Sequence, residues 1–220
     1  GILGGVASAK SQVTGMLAEL GCDVLDADRA GHQVLRQDEV KQAIRERWGD
    51  GVFDAQGEVD RNAVARIVFG KTGSREAKPN DTKRHLITDQ QPTDPAGERR
   101  FLEQLTHGRI GALLKQQSDQ FAGGGQANAI VLDAALLLEA GWDTLCDTLV
   151  FANAPREARL QRALARGWTE AEFDAREAAQ ESLQAKRQRA DFEIDNSGDL
   201  QHLRDQVIRF WGEFLAAYPA

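Results

Sequence analysis

The 220-residue chain is 41% hydrophobic and 28% charged, the balance of an ordinary globular protein large enough to bury a core. Lys+Arg 27 against Asp+Glu 34 leaves a net charge of −7, which argues against nucleic acid or an anionic membrane as a general partner, so a polyanionic ligand must be met by local basic residues. Cys22 and Cys146 stand in apolar stretches outside any CxxC or Cys/His cluster, indicating neither a disulfide framework nor a zinc site and pointing to a reducing, cytoplasmic setting; the longest apolar run, around Ala134–Leu138, is too short to span a bilayer.

In chain order, Gly1-Ile2-Leu3 reads as the end of a buried strand that begins before Gly1, followed by a glycine turn and a helical pattern from Lys10. Between them Gly4-Gly5-Val6-Ala7-Ser8-Ala9-Lys10-Ser11 has the spacing of a P-loop, GxxxxGK[ST], with Ala9 at the second glycine. Such a loop wraps backbone N–H groups around phosphate oxygens at a helix N-terminus; Lys10 supplies a cation, the Ser11 hydroxyl a ligand for Mg²⁺, and Gln12 reaches towards an α-phosphate. Ala9 has two readings. Either it sits at positive φ, where its methyl costs on the order of 1 kcal/mol, or it is already helical and harmless.

Cys22–Asp26 is a second strand, and Asp26-Ala27-Asp28 carries two carboxylates from the strand tip into a helix, with Asp28 either an N-cap or a base that orients a hydroxyl nucleophile. Helical patterns over Arg29–Trp48, Arg61–Phe69 and Glu98–Phe121 suggest a helical lobe beside the sheet. Gly70–Pro95 is polar, contains Pro79, Pro92 and Pro95, and reads as a long exposed loop. Gly123-Gly124-Gly125 is a joint leading into a third strand at Ala129–Asp133, with Thr148–Ala152 and Phe192–Asp195 as the fourth and fifth. Strands alternating with helices imply an α/β fold with a parallel five-stranded sheet covered on both faces, its ligands at the carboxyl ends of the strands, where Asp26, Asp133 and the glycine loop fall. Asp133 ends an apolar strand as a Walker B acid does. Arg156, Arg159, Arg162 and Arg166 recur at helical spacing; a solvated face is one reading of such a stripe, most readily for the first two.

Several runs together resemble the dephospho-CoA kinase family of P-loop kinases, which phosphorylate the ribose 3′-hydroxyl of dephospho-CoA to give CoA and ADP: the loop at Gly4–Ser11, GCDVLDADRAGHQVL at Gly21–Leu35, DRNAVARIVF at Asp60–Phe69, LTHGRI at Leu105–Ile110, LDAALLLEAG at Leu132–Gly141 and RADFEIDNSG at Arg189–Gly198. The resemblance implies a nucleoside-monophosphate-kinase-like core (1–28, 122–155 and 190–220), a helical substrate lobe (29–121, with the polar insertion 70–95) and a lid (156–189). It implies ATP and Mg²⁺ as cofactors, dephospho-CoA as substrate, and no nucleic acid, membrane or obligate protein partner. Position by position it implies Asp28 as the catalytic base, Lys10 and Arg162 beside it, and ATP contacts from Gly4, Gly5, Val6, Ala7, Ser8, Ala9, Lys10, Ser11, Gln12, Arg166, Asn196 and Gly198.

Arg61, His107, Leu136 and Glu139 would face the acceptor, Ser11 and Asp133 the metal, and Gln180 and Lys186 the lid. The residues alone also allow Arg61 as a solvated helix start, His107 as a satisfied half-buried histidine, the leucines as core, Glu139 as the end of a helix and Asn196 as a turn former. Family members usually carry Pro where this chain has Gly108 and Ala135, which is expected to loosen loops there, and they lack the long insertion. Two rival functions remain: another small-molecule P-loop kinase, or a nucleotide-binding module whose catalysis Ala9 impairs.

Overall fold

A computed structural model describes residues 1–69, 94–124 and 127–218. The chain forms two compact units, Gly1–Asp28 with Gly111–Ala220, and Arg29–Ile110. The first contains five strands, β1 (Ile2–Gly4), β2 (Cys22–Asp26), β3 (Ala129–Asp133), β4 (Val150–Asn153) and β5 (Phe192–Asp195), in the order β2-β3-β1-β4-β5 and all parallel. The strands at β2, β3 and β5 begin and end where the apolar runs do. β4 starts two residues later than the run suggests: the Leu149 N–H bonds to the Asp191 carboxylate, and the Val150 N–H, at the start of the strand, bonds to the Gly1 carbonyl.

The alternation of side chains explains why the strands read as unbroken apolar runs. Ile2, Cys22, Val131, Val150, Ala152 and Ile194 point to one face and meet Val13, Met16 and Leu17 of helix α1 (Lys10–Glu19). Leu3, Leu25, Leu132 and Phe151, one residue out of step, are buried as well. The C-terminal helix, Leu200–Ala217, completes the first face through Leu203, Val207, Phe210 and Trp211, and Asp199 caps it by accepting from the His202 N–H. An aromatic string of Phe210, Trp211, Phe214 and Tyr218 runs down that helix, and the Thr148 hydroxyl donates to Tyr218 Oη at 3.0 Å. Cys22 and Cys146 are free thiols, the first buried; burial, then the neighbouring Asp23, pushes the Cys22 thiol up to about 11.

Helices α2 (Ala27–Val34), α3 (Asp38–Trp48), α4 (Arg61–Val68) and α5 (Pro95–Gly124) follow β2, α5 running on into the first unit. The single helix expected over Arg29–Trp48 is two, broken at Leu35-Arg36-Gln37, with Asp38 and Glu39 in the first turn of α3; acids placed to meet a helix N-terminus were the missed signal. Asp60 caps α4 by accepting from the N–H groups of Asn62 and Ala63. In the second unit Val40, Ile44, Val52, Val64 and Val68 are buried, and Glu98 ties two helices by accepting from Arg47 (2.8 and 3.0 Å) and the Trp48 indole (2.7 Å). That forked contact holds the Glu98 carboxyl below the usual carboxylate range, burial opposing it.

Of the loop expected at Gly70–Pro95, residues 70–93 lie outside the described residues. Pro95 belongs to α5, at the first helical position that suits proline. Gly108 lies inside α5 and not in a loop, so its effect is the helix cost of glycine, about 0.5–1 kcal/mol relative to alanine. Among the described residues no helix is long and apolar enough to cross a membrane.

Candidate active site

The central strand β1 delivers the chain into the loop Gly4–Lys10 at the carboxyl edge of the sheet. The first unit has a cleft there of about 440 Å³, lined among others by Ala7, Ser8, Ala9, Lys10, Ser11 and Gln12. A larger cavity, about 650 Å³ and reaching the first residues of β3 and β4, lacks both the glycine loop and its lysine. Ala9 has φ 66° and ψ 36°, so the first of its two sequence readings holds, and Ala7 has φ 56°. Two non-glycine residues in the left-handed region within one loop cost about 1–2 kcal/mol each. Helix α1 starts directly after Ala9 with no side-chain cap and no acid in its first turn, so its N-terminal N–H groups and dipole are left for an anion.

Parallel pairing brings two carboxylates to the same edge: Asp26 of β2 lies in register with Asp133 of β3, and both line the cleft with Asp28. Thr14, one turn beyond Lys10 on α1, donates its hydroxyl to Asp133 at 3.3 Å. Burial pushes the Lys10 ammonium below its usual value, and Lys186 adds to this, while Asp133, Asp28 and Glu139 oppose it. Asp28 sits in the first turn of α2, inside the helix rather than at its cap.

Across the cleft, helix α6 (Arg156–Ala165) presents Arg162, with Arg166 just past its end. Burial, then the nearby Arg166, lowers the Arg162 guanidinium from its usual value, and its buried Nη1 has no partner among the described residues. Two adjacent cations, one with an unused donor, face a helix N-terminus and a lysine. That arrangement is built for several phosphate oxygens at once.

A family model described as dephospho-CoA kinase matches residues 1–90 and 82–202. The chain belongs to the dephospho-CoA kinase family. Similar relatives include the dephospho-CoA kinase of Symbiobacterium thermophilum, 37% identical over 213 residues (96% of this chain, 79% of that one), and that of Latilactobacillus sakei, 33% identical over 210 residues (94% and 91%). Among solved structures, one from Thermus thermophilus superposes with a TM-score of 0.71 at 27% identity, covering 100% of this chain and 96% of that one. The dephospho-CoA kinase from Campylobacter jejuni, at 20% identity and a TM-score of 0.65 over 98% and 96% of the two chains, has the same fold. The chain is thus an ATP-using kinase of the family that carries out the final step of coenzyme A biosynthesis.

The remaining residues singled out from the sequence fall in different places. Asn196 is buried: its Nδ2 donates to the Ser8 carbonyl at 2.8 Å, and its Oδ1 accepts from Arg162 at 3.4 Å. The turn there is made by Asp195, which accepts from the Ser197 N–H, and not by Asn196. Gly198 is exposed, and a Cβ on it would fall 2.8 Å from the His202 ring. Ser8 is buried with its hydroxyl turned back towards Gly4, which leaves the backbone as its contribution to the cleft.

Glu139 lies in the turn after β3 and accepts from Lys186 (3.0 Å) and the Glu181 N–H (2.7 Å), while Lys186, 2% exposed, also donates to Gln180 at 3.0 Å. Ala135 lines the cleft and Leu136 is half-buried just beyond it. Arg61 and His107 belong to the second unit; Arg61 hydrogen-bonds His32, and His107 is half-buried on α5.

The arginine stripe divides. Arg156 is half-exposed and pairs with Glu170 and Asp174, as a solvated face would. Arg159 is 2% exposed, so the solvated reading fails there. Its burial and the positive φ of Ala7 are not legible in the sequence, and Thr14 was not singled out there. Only Thr14 left a signal, four residues from Lys10 and therefore on its face of the helix.

Proposed function

We propose that this chain transfers the γ-phosphoryl group of ATP to the ribose 3′-hydroxyl of dephospho-CoA with Asp28 as the base. The 3′-oxygen forms a bond to phosphorus as the bond to the β–γ bridging oxygen breaks; the hydroxyl proton passes to the Asp28 carboxylate and ADP leaves. The observation that carries this reading is the convergence of Lys10, Asp28, Asp133, Arg162 and Arg166 on one cleft at the uncapped start of α1. Lys10 and the two arginines meet the charge on the phosphates, and the N–H groups from Gly4 to Gln12 cradle them.

Ser11 and Asp133 would hold Mg²⁺. The Ser11 hydroxyl and the Asp133 carboxylate give the cleft oxygen donors of the kind a hard cation takes together with phosphate and water. Phosphate oxygens of the nucleotide and water would complete its coordination. Bound there, the ion neutralises charge on the phosphate oxygens.

In the same reading, the helical lobe of residues 29–121 receives the CoA portion through Arg61 and His107. Helices α6, α7 (Glu170–Ala178) and α8 (Leu183–Arg189) form the lid, Asn196 and Gly198 border the adenine, and the protein works in the cytoplasm. A coupled ADP-release assay with dephospho-CoA, adenosine and shikimate as acceptors, with and without Mg²⁺, tests it. Turnover with dephospho-CoA alone, lost without Mg²⁺, is expected; turnover favouring another acceptor refutes the substrate. The two left-handed alanines favour a second reading, a nucleotide-binding module with impaired catalysis, and ATP binding without turnover would establish that instead.

A further inference from the structure

The loop Gly4–Lys10 is bonded from outside as well as within. Its two left-handed residues are alanines, and its internal bonds are few: Ser8 N–H to the Gly5 carbonyl at 3.1 Å, with the Gln12 and Val13 N–H groups reaching back to Ala9. In such a loop the N–H groups point inward only while the carbonyls point outward.

The carbonyls of Val6 and Ser8, the residues on either side of Ala7, are each taken by a buried side chain from outside the loop. Asn196 Nδ2 donates to the Ser8 carbonyl at 2.8 Å, and Arg159 Nη1 donates to the Val6 carbonyl at 3.4 Å; both donors are 2% exposed. Arg159 is itself fixed by three further contacts: Nε donates to the Ala154 carbonyl at 3.1 Å, Nη1 pairs with Glu177 of α7, and the guanidinium lies 5.5 Å from the centre of the Phe173 ring. Val6 packs with Ala163 and Phe173, and a Cβ on Gly5 would fall 2.8 Å from Arg159 Nη1.

We infer that Arg159 is a positioning residue: with Asn196 it pins the carbonyls of Val6 and Ser8, the residues on either side of Ala7, and thereby keeps an alanine-bearing loop in the form that receives phosphate. The inference rests on the nucleotide-binding reading of the cleft. Arg159 touches no reacting atom and is partnered by Glu177, so its role is separate from that of Arg162 and Arg166, which face the cleft.

The consequence is a coupling between two positions that do not share a ligand. With Arg159 present, Ala7 is held whatever its strain; without it, alanine leaves the left-handed region and glycine does not. Steady-state kinetics and ATP titration of Arg159→Met, Arg159→Lys, Ala7→Gly and the double variant Ala7→Gly/Arg159→Met test this. Arg159→Met is expected to raise KM for ATP about tenfold with a smaller change in kcat, and Arg159→Lys to recover part of the loss. Ala7→Gly should raise ATP affinity by a several-fold larger factor in the Arg159→Met background than in the wild-type one, so that the double variant recovers most of what Arg159→Met loses. Should Arg159→Met not fold, the KM-against-kcat split of Arg159→Lys carries the test. Unchanged KM for ATP in the arginine variants, or the same factor from Ala7→Gly in both backgrounds, overturns this inference alone. Wild-type protein that binds no ATP overturns the nucleotide reading and this inference with it.

Discussion

The two ends of helix α1 are opposites. At its start the chain holds two left-handed alanines, a lysine whose ammonium burial disfavours, and a buried Arg162 donor with no partner among the described residues. Towards its end Val13, Met16 and Leu17 disappear into an apolar cluster shared with the sheet and the C-terminal helix. One end carries unmet polar groups and backbone strain; the other is closely packed. Strain of this kind persists only where surrounding structure over-determines it, so the packed end supplies the rigidity on which the polar end depends.

The sharpest way to break this comparison is to remove chemistry while leaving packing alone. Asp28→Asn is expected to lower turnover with dephospho-CoA by roughly 10²–10⁴-fold, with ATP affinity and melting temperature nearly unchanged. A variant that keeps most of its turnover would show that Asp28 is not the base. The reverse experiment is Leu17→Ala, which empties a site 1% exposed and should cost about 2–5 kcal/mol of stability, read by denaturant unfolding. A fall in kcat/KM with no loss of stability would mean that the two ends are not separable in this way.

Smaller effects sharpen the polar end. Ala9 lies beyond the Ser8 carbonyl that Asn196 holds and caps α1 with no side-chain bond, so relief of its strain should appear in binding. Ala9→Gly should tighten ATP about fivefold, the equivalent of roughly 1 kcal/mol; equal affinities by calorimetry would show that the loop absorbs the methyl without cost. The smallest expected signal is a fraction of a proton. Burial lowers the Lys10 pKa in the free protein and phosphates beside it raise it again, so ATP binding should take up protons as the solution is made alkaline. Calorimetry in two buffers of different ionisation heat measures this, and a binding heat independent of buffer throughout the alkaline range would argue against a Lys10–phosphate contact.

Much of the polar end was legible in the sequence because its residues are close in the chain or end a strand. Gly4–Gln12 is one continuous segment, and Asp26 and Asp133 each end a five-residue strand. The break at Leu35–Gln37 was not, since no glycine or proline marks it and only the acids at Asp38 and Glu39 do. Arg159 was illegible for a deeper reason. A helical stripe of arginines has the same spacing whether water or protein covers it, and what buries Arg159 is a carboxylate 18 residues away and a carbonyl 153 residues away. Likewise Lys186 stands in the sequence as a lid position, and its partners Gln180 and Glu139 meet it only once the turn after β3 and helix α8 are in place.

Cys22, at the start of β2, has a consequence for the chemical reactivity of this core. Alkylating reagents and oxidants attack the thiolate, and a thiol pushed up to about 11 is ionised at neutral pH in only about one molecule in ten thousand. Its sulfur is also walled off by the apolar cluster beneath α1 and the C-terminal helix. The strand that delivers Asp26 and Asp28 to the cleft therefore begins on a residue protected from modification twice over, and losing Cys22 to a thiol reagent requires that face of the sheet to open first.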